Sequence, residues 1–146
     1  MPPQSINGLN SVHLNPSDSI YNANTTTFLS AKNLTLTPHR MTETHFFDRG
    51  FLKSVGNITN DQTYIDTYLS DKLVQSTGNG TLKTPDGQSI AWKSSSIGRP
   101  VDGRWVYYGI MLFNNTQDKS LSFLNNNVGL SRDVLGKETD YIWILK

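Results

Sequence analysis

Two stretches of this 146-residue chain carry residue types suited to holding a phosphate, and neither has the spacing. A dinucleotide-binding turn needs three glycines opening a helix after a buried strand. Gly78-Asn79-Gly80 lacks the third, and the Thr81-Leu82-Lys83-Thr84-Pro85 run that follows does not begin a helix. A strand bend is the natural reading, since glycine relieves crowding where strands coil tightly. In Gly136-Lys137-Glu138-Thr139 the lysine is followed by Glu138 rather than the Ser or Thr of a P-loop, and the earlier glycine is missing. That segment reads as a hairpin turn.

The remaining chemistry-bearing residues are scattered. His13, His39 and His45 show no i, i+2 or i, i+4 pair of a metal site. No Ser-His-Asp arrangement is supported beyond the presence of its residue types. Asp61, Asp66, Asp71, Asp102 and Asp133 could do acid–base work only from an apolar pocket, and their turn-like neighbours suggest solvated carboxylates instead. Asp48, on an aromatic strand beside Arg49, is the carboxylate expected to be partly buried, with an arginine ion pair as its role. There is no cysteine, which excludes disulfides, thiolate nucleophiles and cysteine-ligated metals. No catalytic residue, cofactor or metal ligand is therefore assigned, and an enzyme is the less favoured reading.

The elements that would position any site look like strands. The chain holds 14 Asn, 15 Ser and 15 Thr with only 17% charged residues, a mixture that favours turns and strands over long helices. From about Thr44, strand-like runs alternate with turn signals every 10 to 15 residues, among them Pro85-Asp86-Gly87 and Asn114-Asn115. An all-β fold follows: a single antiparallel barrel of about 6–8 strands over 41–146, with an extended N-terminal arm over 1–40. The arm holds Pro2, Pro3, Pro16 and Pro38, and little periodicity apart from short strand-like pieces at 25–29 and 34–37. Asn15-Pro16-Ser17-Asp18 could cap one helical turn. Residues 61–74 are ambiguous: Tyr64, Ile65, Tyr68, Leu69 and Leu73 fall at helical spacings, while aromatic and β-branched content is high, and it is the resemblance given next that tips the reading to a strand.

A resemblance adds to this. Gly78 and Gly80, Thr84 with Asp86-Gly87, Ala91 and Trp92, Ile97-Gly98-Arg99, Gly109, Leu121-Ser122-Phe123-Leu124-Asn125, Gly129, Trp143 and Lys146 resemble the pattern of a group of small, largely uncharacterised archaeal proteins. The similarity spans about residues 51–146 and implies a closed antiparallel barrel shaped like allene oxide cyclases or lipocalins. This chain departs from it with Leu130-Ser131-Arg132-Asp133 in place of a carboxylate-rich strand, and with Ile144 and Leu145 near the end. The resemblance brings no catalytic residues.

The aromatics carry the functional expectation. On the strand around 104–113, Trp105, Tyr107, Gly109 and Met111 share one face, and Val106, Tyr108, Ile110 and Leu112 the other. One apolar face can fill a barrel; the second asks for a partner. The reading favoured from sequence is a non-enzymatic assembly subunit whose arm contacts a protein partner or another copy. Phe28, Leu34, Leu36, Tyr108 and Ile110 are its contact residues. The rival reading is a barrel that binds, or isomerises, a small apolar ligand in a pocket of Trp92, Trp105, Tyr107 and Phe123. The net charge of +1 without a basic stripe argues against nucleic acid. No apolar run is long enough for a membrane-spanning helix. Without a signal-like start, the expected compartment is cytoplasmic. Five Asn-x-Ser/Thr sequons leave export open, although chance alone gives about three.

Overall fold

The computed structural model describes residues 14–136 and 140–145. They form eight antiparallel strands closed into one barrel, in the order β1 to β8. The strands are β1 (Tyr21–Thr35), β2 (Met41–Leu52), β3 (Gly56–Ser70), β4 (Leu73–Lys83), β5 (Ser89–Val101), β6 (Arg104–Phe113), β7 (Val128–Val134) and β8 (Tyr141–Ile144). The expected all-β barrel is present, at the upper end of the expected strand count.

One expectation is corrected, and one ambiguity is resolved in the direction the sequence reading leans. Residues 21–35, assigned to an extended arm, are the first barrel strand and pair along β2 from Tyr21↔Leu52 to Thr35↔Met41. The barrel therefore does not begin near residue 41; the arm's residues 1–13 lie outside the described residues. The ambiguous segment is strand, the favoured reading: residues 61–67 pair with both β2 and β4, and Tyr68 and Ser70 with β4. Its inward positions Gln62, Tyr64, Asp66 and Tyr68 alternate with outward ones, and that period-2 pattern overrides the helical spacing of its apolar residues.

Glycine sets how narrow the barrel can be. A Cβ on Gly78 would collide with the Tyr64 ring, one on Gly80 with the Trp92 ring, and one on Gly98 with the Tyr107 ring. Each of these glycines is the direct cross-strand partner of the aromatic that covers it. The rings thus lie flat across neighbouring strands inside the barrel, which only a residue without a side chain permits. Gly78-Asn79-Gly80 is accordingly the interior of β4, and the turn comes later. In that turn Thr84 accepts from the Gly87 amide at 3.0 Å, and Gly87 takes the positive φ of 92°.

The two ends of the barrel differ. The 114–127 connection folds back across the end where β4 meets β5, through a 3₁₀ turn at Ser122–Leu124. It inserts Leu121 and Leu124 among Leu52, Ile58, Leu82, Ile90 and Phe113, all buried. The plug is tied down by Ser89 N donating to Asp118 Oδ2 at 2.8 Å and by Ser120 Oγ donating to Gln88 Oε1 at 2.6 Å. Leu14–Ile20 runs beside the same end, where Trp143 Nε1 donates to the Asn15 carbonyl at 2.8 Å. At the opposite end the hairpin connections are short, and the interior is not filled.

The seam closing the barrel is brief: β1 meets β8 through Tyr21↔Ile142 and Asn22↔Tyr141. Among the described residues, the rest of β1 has a strand neighbour on one side only, β2. This is why most of β1 beyond Ala23 is exposed.

Candidate ligand cavity

The unfilled half of the barrel encloses a cavity of about 570 Å³ opening at the end opposite the Leu121–Leu124 plug. This is within the range of small-molecule sites, roughly 300–1,000 Å³. Its wall comes from the inward positions of β1 to β7 together with Leu135, Gly136 and Asp140 of the β7–β8 connection.

An aromatic ladder runs from mouth to floor. Phe28 meets Phe46 edge-on at 5.7 Å between ring centroids, Phe46 meets Tyr64 at 6.2 Å, and Tyr64 meets Trp92 at 6.2 Å. Such pairs lock one another's rotamers. Trp92 closes the floor: its Nε1 donates to Asn60 Oδ1 at 2.8 Å, a buried pair that satisfies both groups. Below it lies the apolar core.

Polar groups gather just above that floor. Asp48 is 1% exposed, and its Oδ2 accepts from the Tyr21 hydroxyl at 3.2 Å. Asp133 and Asp140 stand beside it, with Thr26 Oγ1 donating to Asp140 Oδ2 at 3.4 Å. Gln62 Oε1 accepts from the Tyr64 hydroxyl at 2.5 Å. Asp66 lies on the wall next to Ser76.

Burial dominates the electrostatics. Removal from water, and then the charge of Asp48, push the Asp133 carboxyl up to about 7. Removal from water, followed by the charges of Asp133 and Asp48, pushes Asp140 up to about 10. Burial also raises Asp48, against the opposing donor groups of Thr26, Tyr21 and Gln62, and raises Asp66 against that of Ser76. The Tyr21, Tyr64 and Tyr107 hydroxyls are raised by burial first and by neighbouring carboxylates second, so they remain donors. The cluster can hold protons at neutral pH.

The residues proposed from sequence as pocket-forming fall in different places. Tyr107 lines the cavity, and Trp92 lies at its floor. Trp105 faces inward on β6 but is not in the cavity wall, and Phe123 is exposed on the outer side of the plug. Of the proposed contact residues, Phe28 stands at the cavity mouth against Phe46. Leu34 and Leu36 are exposed near the β1–β2 connection, and Tyr108 and Ile110 on the outer face of β6.

The carboxylates differ most from expectation. Asp133 and Asp66 are in the cavity, not solvated turns. Asp48 is buried as expected, but its partner is Tyr21, while the Arg49 guanidinium lies over the outward Phe47 ring at 5.7 Å. Asp140, Gln62, Tyr64 and Phe46 were not singled out. The alternation Phe46-x-Asp48 on β2 and Gln62-x-Tyr64-x-Asp66 on β3 is the signal that places them on one inner face.

The fold and cavity define a class by geometry alone: a cup-shaped, closed antiparallel barrel with a plugged base and an acidic, aromatic interior. No family model matches the chain, and no curated protein or solved structure is significantly similar to it.

Proposed function

We propose that the barrel is a container for a small organic ligand. The observation that carries this reading is the cavity of about 570 Å³, lined with aromatic rings and a few convergent polar groups. A barrel of eight strands is just wide enough for side chains to fill it. Here the lower half is filled that way, and the upper half keeps small residues, Ser76, Ser96 and Thr44, among the large ones. The proposed kinship of residues 51–146 with small archaeal barrels is compatible with this reading.

The test is a fluorescence titration with a neutral apolar dye, N-phenyl-1-naphthylamine, on the full chain and on Thr44→Trp, which places an indole in the cavity. Saturable one-to-one binding by the natural chain, lost in a Thr44→Trp variant of unchanged circular dichroism, supports the container. Absence of saturable binding by the natural chain, or equal binding by the folded variant, overturns it.

A second reading, assembly with another copy, is favoured by one observation. Tyr108, Ile110 and Leu112 form an exposed row on β6, continued by Ile97 on β5. Contiguous apolar surface of this kind marks interaction sites. In this form the contact is made by the outer sheet face, because residues 21–35 of the proposed arm belong to the barrel. Sedimentation velocity of the natural chain and of Ile110→Lys distinguishes the cases: a dimer abolished by the substitution supports assembly, and a monomer at all concentrations removes it.

A further inference from the structure

Four buried side-chain atoms have no hydrogen-bond partner among the described residues: Thr42 Oγ1, Thr44 Oγ1, Asp48 Oδ1 and Gln62 Nε2. All four lie on the inward faces of β2 and β3. Buried polar groups in folded proteins are almost always paired, so an unpaired set on one face points to a missing partner. Asp48 and Gln62 are 1% and 5% exposed, and both stand at the floor of the cavity. Thr44 is part of the wall above them.

The charge around this set has one sign. Asp66, Asp133 and Asp140 line the cavity and Asp48 lies at its floor, and among the described residues no Lys, Arg or His lines it. Buried carboxylates are normally paired with cations or hydrogen-bond donors. Here the donors facing them are the hydroxyls of Tyr21, Thr26 and Ser76 and the amide of Gln62, none of them charged. The walls above are aromatic: Phe28, Phe46, Tyr64, Tyr68 and Tyr107. Rings of this type attract cations over their faces, and at the mouth the Tyr68 ring already carries the Arg40 guanidinium at 4.4 Å. Among the described residues, no three His, Cys, Asp or Glu side chains converge in the geometry of a metal site. The missing positive charge is therefore better supplied by an organic cation, whose apolar body the rings can hold, than by a metal ion.

We propose that the ligand of this cavity is an organic ammonium compound, its charged nitrogen seated against Asp133, Asp140 and Asp48 and its apolar body held by the Phe46 and Tyr64 rings. This rests on the container reading and gives it a substrate class. The ammonium N–H groups donate to the carboxylates and to the free Asp48 Oδ1. As the carboxylates ionise, Gln62 Nε2 gains an acceptor. Protons held by the cluster in the empty protein leave to solvent, so binding releases protons and tightens as pH rises from 6 to 8. Asp66 and the Tyr21, Tyr64 and Tyr107 hydroxyls also face this space, with Arg40 at its mouth. The tyrosines stay protonated throughout that range, so the change belongs to the carboxyls.

The test is competition with N-phenyl-1-naphthylamine on the full chain by three probes of one shape: 2-phenylethylammonium, 2-phenylethanol and phenylacetate. The expected order is the ammonium at least about tenfold tighter than the alcohol, as charge-assisted hydrogen bonds require, with phenylacetate weakest. Calorimetry of the ammonium in two buffers of different ionisation heat is expected to show proton release. Asp133→Asn and Asp140→Asn should each remove most of the ammonium's advantage over the alcohol, read as the ratio of the two affinities in the same variant. If the alcohol binds as well as the ammonium, or phenylacetate binds best, the cation inference fails and the container stands. If none of the probes nor the dye binds, the container reading itself fails.

Discussion

Raising the pH from 5 to 7 is expected to destabilise this protein, although that range is benign for most. The reason is the buried carboxyl cluster. A carboxyl whose folded-state value lies above its unfolded value binds more protons when folded. Stability is then fully present below the unfolded value, near 4, and is lost as pH rises through the folded one. For Asp133 that window runs from about 4 to about 7, and for Asp140 it extends to about 10. Each proton held only by the folded state corresponds to roughly 1.4 kcal/mol per pH unit. Because the two carboxyls and Asp48 share one site, we take a net slope of about one proton from the cluster as a whole. With a urea m-value of about 2 kcal/mol/M, within the usual range for a small domain, the unfolding midpoint should fall by about 0.7 M per pH unit. Asp86 acts in the opposite sense: hydrogen bonds from Thr84 and Gln88 hold its carboxyl below the usual range, so its contribution is lost only as pH falls below about 4. The assay is urea unfolding followed by tryptophan fluorescence at pH 5, 6, 7 and 8, for the natural chain and Asp133→Asn. The variant removes both a proton site and the charge that raises Asp140, so its slope should be markedly shallower. A midpoint that is flat or rising between pH 5 and 7, or an unchanged slope in the variant, would refute the reasoning.

Three further outcomes follow from the packing. Leu124→Ala removes a buried side chain of the base plug and should cost about 2–5 kcal/mol in urea unfolding. Gly80→Ala places a methyl against the Trp92 ring and the Asp61 carbonyl, which should cost roughly 1–3 kcal/mol and shift the tryptophan emission. Trp92→Phe leaves Asn60 Oδ1 buried without its donor, a loss of roughly 1–3 kcal/mol from the unpaired group alone, measured by the same unfolding experiment.

Much of the barrel is legible in the residues because its local signals agree. The Pro85-Asp86-Gly87 turn, the close of β6 at Asn114 and the two-faced alternation of residues 104–113 all recur in the structure. Two parts were less legible for definable reasons. Residues 21–35 carry few apolar side chains because most of this strand has β2 on one side only, so its outer positions are polar and its inner ones face the cavity mouth. Residues 61–70 carry tyrosines three and four apart, but the fold selects the alternate set 62, 64, 66 and 68. The sequence reading leans to strand there, and long-range pairing settles between the two periods.

The cavity was harder to read than the fold, and the reason lies in what it is made of. A filled barrel interior is apolar at every inward position, and a search for apolar alternation finds it. Here the inward row of β2 reads Thr42, Thr44, Phe46, Asp48, Gly50, Leu52, polar at one end and apolar at the other. The β3 row runs from Ile58 through Asn60, Gln62 and Tyr64 to Asp66 and Tyr68 in the same sense. In sequence such a row resembles a strand with a solvated face, and Asp66 and Asp133 resemble surface carboxylates. Registering the strands turns the gradient into a vertical one: hydrocarbon at the plugged base, carboxyl and amide groups above it, aromatic rings toward the mouth. A chain that needed only to fold would gain stability from carrying hydrocarbon throughout that column, since buried carboxyls without cations are costly. The retained polar layer, with Asp48 Oδ1 and Gln62 Nε2 unpaired within it, is the physical ground on which a ligand inside the barrel is proposed.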